Sequence, residues 1–397
     1  MTLGAGGMYV VPVVLPAVQA DFGITRAEAA FPYTLLMVGF GIGGILLGRM
    51  ADRTGVMPPL LLGGAALAVG NALAAMSPNV MMFALVHGVL IGGIACACSF
   101  APLIADTSLW FEKRRGIAVA ICASGNYLAG VIWPPILQHF IETVGWRQTY
   151  IGYGLVSGAL MILLAFTMRR RPPAHQPAPA AATGTVRVPD HGKPFGMSPR
   201  SAQILLCVAG IGCCVAMSMP QVHIVAYCGD LGYGPARGAQ MLSLMLACGI
   251  FSRLVSGVVS DRIGGLRTLL INSVLQTLVL LLFLPFDSLA SLYVISALFG
   301  LAQGGLVPSY AIIVREHFNP REAGARVGMV MTFTLVGMAL GGWMSGKIFD
   351  LTGSYQAAFV NGFVFNITNV LIVLFLLRRV RRDEGSAWPN APVRRLG

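Results

Sequence analysis

Twelve apolar runs of roughly 20 residues, separated by short polar breaks, dominate this chain and limit what it can become. They lie at approximately 1–20, 30–51, 59–77, 80–105, 116–138, 148–168, 201–225, 237–259, 267–285, 289–313, 325–346 and 355–377. Each is about the length a helix needs to cross roughly 30 Å of hydrocarbon at 1.5 Å per residue. Only 11% of residues are charged, against about 25% in soluble domains. The mean hydropathy is +0.76. The expectation is an all-α integral membrane protein with twelve transmembrane helices.

Between the sixth and seventh runs lies "RRRPPAHQPAPAAATGTVRVPDHGKP", rich in Pro, Ala and basic residues and poor in bulky apolar ones, a composition that cannot order itself. The chain therefore divides into an N-terminal six-helix bundle at 1–168, a linker loop at 169–199, a C-terminal six-helix bundle at 200–377 and a tail at 378–397. The start, "MTLGAGGMYVVPVVLPAVQADFG", reaches the first loop with no basic leader and lacks the n-region and cleavage site of a signal peptide. A late start site or a truncation removing the first turns of helix 1 is expected from it.

The net charge of +12 raises the question of a nucleic-acid partner, and the placement of the charges answers it. With both termini on the cytoplasmic side, 22 Lys/Arg fall in inner loops and the tail, while Arg26, Arg147, Arg237 and Lys347 alone fall outside. That bias orients the chain as a multi-pass protein of the cell membrane and accounts for the basic charge without nucleic acid. Arg378, Arg379, Arg381 and Arg382, beside the last helix, are placed to meet anionic headgroups. The eight cysteines all fall within apolar runs or at their ends and read as small packing residues. Cys96 and Cys98 lack zinc-like spacing, so no metal or cofactor is expected.

The stretch "GRMADRTG" at 48–55 returns as "GVVSDRIG" at 257–264, with Gly48, Asp52, Arg53 and Gly55 spaced like Gly257, Asp261, Arg262 and Gly264. Both sit at the inner end of the second helix of a six-helix half, as a duplicated transporter fold requires. The strings resemble the G-x3-D-R-x-G motif of loops 2–3 and 8–9 in the major facilitator superfamily, and the resemblance covers nearly the whole chain. It implies two pseudo-symmetric six-helix bundles that rock about a central site. An Asp at such a boundary can accept from an Arg or from the N-terminal amides of a facing helix, which suits a conformational gate. The plainer reading is a solvated loop that fixes topology.

Arg253, in "LACGIFSRLVSGVVSDRIG", lies eight positions before Asp261, about 12 Å along a helix. An intramembrane charge is costly and reads first as functional, and a guanidinium offers a planar fork that fits a carboxylate. Snorkelling or an interhelical structural role is the alternative. "VHIVAYCGDLG" in helix 7, followed by that Arg, resembles the monocarboxylate transporter and oxalate:formate antiporter branch of the superfamily. The resemblance implies that Arg253 binds the substrate carboxylate and that His223 lies near the same site.

Other polar residues have open roles. His223 either donates to a carboxylate or is a satisfied structural His, and Asp230 is either proton-linked or a solvated loop acid. His87 stands where many proton-coupled members carry an Arg, and it either titrates or makes a plain interhelical hydrogen bond. Asn126, Tyr127, Gln303 and Tyr310 can bond a ligand or one another across helices. Phe100 stands where related bacterial carriers often have a Tyr. Glycine runs such as "GFGIGGILLG" and "GMALGGWMSG" lie inside membrane helices and read as close-packing surfaces rather than phosphate loops.

The resulting expectation is a secondary transporter of a small organic anion, a monocarboxylate by resemblance, working as a monomer by proton symport or anion exchange. A drug/proton antiporter of the same fold is the rival, although "ASGNYLAGVIWPPI" lacks the Gly-Pro pair such exporters usually carry in helix 5. A transport-dead receptor or scaffold is a further rival. Neither a catalytic triad nor paired inward carboxylates are available, which excludes a hydrolase.

Overall fold

The computed structural model describes residues 1–111, 115–169, 194–319 and 322–386, the side chains of 115–116 and 381–386 excepted. Most of the expected linker, the end of the tail, and the basic residues Lys113, Arg114, Arg170, Arg171, Arg187, Lys193, Arg321, Arg394 and Arg395 lie outside them. Twelve helices are long and apolar enough to span a membrane. They are α1 (Thr2–Phe22), α2 (Arg26–Thr54), α3 (Met57–Ala75), α4 (Val80–Trp110), α5 (Ile117–Val144), α6 (Trp146–Thr167), α7 (Pro199–Asp230), α8 (Pro235–Ile263), α9 (Gly265–Leu282), α10 (Leu289–His317), α11 (Ala323–Thr352) and α12 (Gln356–Val380). No strand occurs among the described residues, as a bilayer demands of a chain that must satisfy its backbone internally. Helical backbone continues past α12 to Ser386, so the tail expected from 378 begins as helix. Arg and Val there propagate a helix, and the first glycine comes only at Gly385.

Local chemistry sets the helix ends. Gly23, at φ 62°, stops α1, and Thr25 starts α2 with a reciprocal capping box to Glu28. The repeated motif ends each half's second helix in the same way. Gly55 (φ 88°, ψ 175°) and Gly264 (φ 84°, ψ 163°) adopt a conformation that only glycine takes readily. Their N–H groups bond back to Ala51 and Ser260 at 2.8 and 2.9 Å. The side of the molecule where these turns lie is called the motif face below.

Two helices depart from the regular spans expected. In α4 an α-helical start gives way to a π-helical stretch at His87–Cys96, and a turn at Ser99–Phe100 precedes Ala101–Trp110. α10 is interrupted at Gly304–Gly305. The π-helical stretch packs closely on α2. A Cβ on Gly39 or Gly43 of α2 would overlap the carbonyls of Gly88 and Gly93, so the "GFGIGGILLG" run is a packing surface.

The hydrophobic cores show how the halves meet. Near the motif face each half has its own core. One holds Leu47, Val56, Leu60, Cys98 and Met161, and the other Leu206, Leu269, Tyr310, Ile313 and Phe318. Toward the opposite face the cores are shared. Val222, Ala226 and Ala339 join the α1–α6 cluster, while Ala5, Tyr9 and Tyr127 join the α7–α12 cluster. The halves are therefore packed together at the opposite face and separate toward the motif face. Outward-facing Ile42, Leu46, Leu155, Leu163, Phe251 and Val258 remain exposed, an apolar girdle that only lipid would cover.

Candidate substrate cavity between the two halves

A cavity of about 410 Å³ lies on the interface, lined from α1, α2, α4 and α5 on one side and α7, α8, α10 and α11 on the other. Its lining runs along α2 from Tyr33 to Ile45 and along α11 from Met338 back to Gly328, so it reaches toward the motif face. At the opposite end the halves are latched. Asp350, at the end of α11, receives the backbone N–H groups of Arg26 and Ala27 at 2.8 and 2.9 Å. One guanidinium nitrogen of Arg26, Nη2, donates to both Asp230 oxygens at 2.9 and 3.1 Å, and the guanidinium lies 4.7 Å from the Phe349 ring centroid. Arg26 is 7% exposed, and a charge this buried requires such partners. Thr34 adds a hydrogen bond to the Ala339 carbonyl at 2.9 Å.

Arg253 is the one charged residue lining the cavity among the described residues. Its guanidinium sits 4.2 Å from the Tyr127 ring centroid, donates to the Ala123 carbonyl at 3.3 Å and, through Nε, to Gly304 at 3.4 Å. It therefore touches both halves. No carboxylate lies within ion-pair distance of it among the described residues. The bonds it makes are long and go to neutral acceptors, so a carboxylate could displace them with gain.

Of the residues singled out in the sequence, Arg253, Asn126, Tyr127 and Phe100 meet at the cavity. Gln303 is fully buried behind it, accepting from Gln221 at 2.8 Å. Phe100 packs edge-on against Phe40, with centroids 5.7 Å apart. Four other residues are held elsewhere. His223 donates through Nε2 to the Gly342 carbonyl at 2.8 Å and faces the Tyr355 hydroxyl with Nδ1 at 2.9 Å. His87 donates through Nδ1 to Phe83 at 2.7 Å and faces Tyr150 at 3.2 Å. A carbonyl only accepts, so the nitrogen facing it donates in each ring, and both nitrogens of both rings have partners within the protein, away from the cavity. Tyr310 bonds Asn369 at 2.9 Å inside the second half, and Asp230 belongs to the latch.

The gate-motif residues Asp52, Arg53, Asp261 and Arg262 are exposed on the motif face, and none makes an ion pair among the described residues. The sequence reading missed Tyr9, Tyr33 and Gln221, which line the cavity. Tyr9 and Tyr33 stand in uncharged runs that give no local signal. Gln221 immediately precedes the quoted helix 7 stretch, two residues before His223, and its polarity amid apolar neighbours was the available clue. Arg26 and Asp350 were also missed, since each reads as an ordinary loop charge until the fold joins them.

The family description "Major Facilitator Superfamily" matches residues 1–291 and 241–395. The chain belongs to the major facilitator superfamily. Relatives within it include monocarboxylate transporter 13 of Rattus norvegicus, 27% identical over 332 residues, 82% of this chain and 74% of that protein. An agnestins efflux protein of Paecilomyces divaricatus is 24% identical over 332 residues, 83% of this chain and 74% of the relative. Among solved structures, the nucleoside transporter NupG superposes with a TM-score of 0.73 at 15% identity, covering 95% of this chain and 98% of that one. This superfamily chain is thus a multi-pass membrane transporter rather than an enzyme. Its eight cysteines are all free.

Proposed function

We propose that this transporter moves a small organic anion, a monocarboxylate, by alternating access, with its carboxylate docked on Arg253. The observation that carries the reading is an Arg that bridges two halves, faces a cavity between them and has no described carboxylate partner. A substrate carboxylate would replace the Ala123 carbonyl and the Tyr127 face as partner of the guanidinium, loosening a contact between the halves and favouring rocking about the site. The relative named as a monocarboxylate transporter supports this choice.

Taking the motif face as cytoplasmic, from the Lys/Arg bias, the conformation is inward-facing. Asp52 and Asp261 would then engage only when the halves close on that face. Because His87 and His223 are bonded to protein groups away from the cavity, anion exchange fits better than symport through either. The chain acts as a monomer, with Arg378 and Arg379 at the end of α12 meeting anionic headgroups.

The test is uptake and counterflow in proteoliposomes with Arg253→Lys. Lys keeps the charge and loses the fork, so a fall in transport of at least ten-fold is expected. Wild-type kinetics in that variant would remove the reading. Stabilisation of the protein by organic cations alone would point instead to drug export, the direction in which the efflux relative's name leads.

A further inference from the structure

We infer that the cavity selects a monocarboxylate with a bulky apolar body, aromatic by preference, over two- or three-carbon acids and over dicarboxylates. The inference rests on the carboxylate reading of Arg253 given above. Apart from that guanidinium, the largest side chains on the walls are five aromatic rings and four methionines. Phe40 and Phe100 form an edge-on pair, Tyr9, Tyr33 and Tyr127 present rings, and Met8, Met217, Met331 and Met338 supply sulfur contacts. Methionine fills irregular space and packs well on aromatic edges, which lets one cavity fit ring systems of different outline.

Size points the same way. At about 410 Å³ the cavity falls in the roughly 300–1,000 Å³ range of pockets that hold drug-sized ligands. An acid of two or three carbons would leave most of the apolar wall against water, and so would forgo the main favourable term available. Charge disfavours the dicarboxylates, because no second cation lines the cavity among the described residues and a second carboxylate would be desolvated without a partner. Asn126, with its Oδ1 buried and unpaired among the described residues, lines the same cavity and can accept from a ring N–H or hydroxyl on the body of the substrate.

The experiment is binding to purified wild-type protein of acetate, lactate, butyrate, hexanoate, octanoate, phenylacetate, indole-3-acetate and succinate, read as thermal shift and as competition. Octanamide serves as the neutral control for partition into the detergent or lipid. Affinity should rise about four-fold per methylene, the factor that burial of one methylene is worth, until the cavity is full. Indole-3-acetate and phenylacetate should outrank lactate by at least ten-fold, with succinate and octanamide inert. Equal affinity across the series, or succinate as strong as octanoate, would overturn the inference and leave the anion reading standing. No response to any carboxylate, with a response to neutral or cationic amphiphiles, would overturn the anion reading and this inference with it.

Discussion

The carboxylate of Asp350 caps α2 from across the interface, its two oxygens 2.8 and 2.9 Å from the backbone nitrogens of Arg26 and Ala27. The first amides of a helix lack intrahelical partners and carry partial positive charge. Here the C-terminal end of one half's helix supplies what the N-terminal end of the other half's helix lacks. The contact is close because Gly346 of α11 faces Arg26 and Ala27, where a Cβ would come within 2.9 Å of backbone.

Asp350→Ala removes both acceptors, and a cap of this kind is worth about 1–2 kcal/mol. The face bearing Arg26 should open more often, by roughly ten-fold in population. Spin labels placed across that face would read the change as a second, longer distance. An unaltered distance distribution would mean that the shared apolar cores alone hold the halves together.

Arg26 and Asp230 should show coupling in a double-mutant cycle of thermal stability. The Asp230 side chain is 36% exposed, so solvent screens the pair, and the coupling should be about 1 kcal/mol rather than the several of a dry pair. Arg26→Ala alone should cost more than Asp230→Asn, because it also removes the guanidinium from the Phe349 ring. Raising salt from 0.05 to 1 M should shrink the coupling if the pair behaves as a partly solvated one.

Gly39→Val and Gly44→Ala should separate sharply. A Cβ at Gly39 meets the Gly88 backbone, whereas Gly44 has open space around it. Overlap with backbone cannot be relieved by a rotamer change, so the first should cost about 3 kcal/mol or more, or prevent folding, and the second under about 1 kcal/mol. Folded yield and Tm after purification test both.

Asp52→Asn should leave stability within about 0.5 kcal/mol of wild type, since Asp52 is exposed and makes no ion pair among the described residues. Turnover should fall if Asp52 engages a facing helix when the motif face closes. A slowed rate with unchanged substrate affinity is the expected pattern. Affinity loss at constant rate would count against a gate.

The sequence alone determined the twelve spans, because a hydrocarbon core tolerates only long runs of apolar helix and the required length is readable residue by residue. It also determined the two-fold repeat, since Gly55 and Gly264 each occupy a backbone conformation that almost no other residue adopts. Arg253 was legible as well, because a charge amid apolar neighbours stands out in one dimension. The tertiary structure decided which side chains meet at the cavity and which are already satisfied elsewhere. The same apolar surroundings made His223 and His87 conspicuous, yet each ring is pinned by a carbonyl and a hydroxyl far away in sequence or a turn away on its own helix. Tyr9 and Gln221 acquired their place only when α1 and α7 came together. Arg26, Asp230 and Asp350 are separated by as many as 324 positions, so helix packing, which no local pattern encodes, made a latch of them.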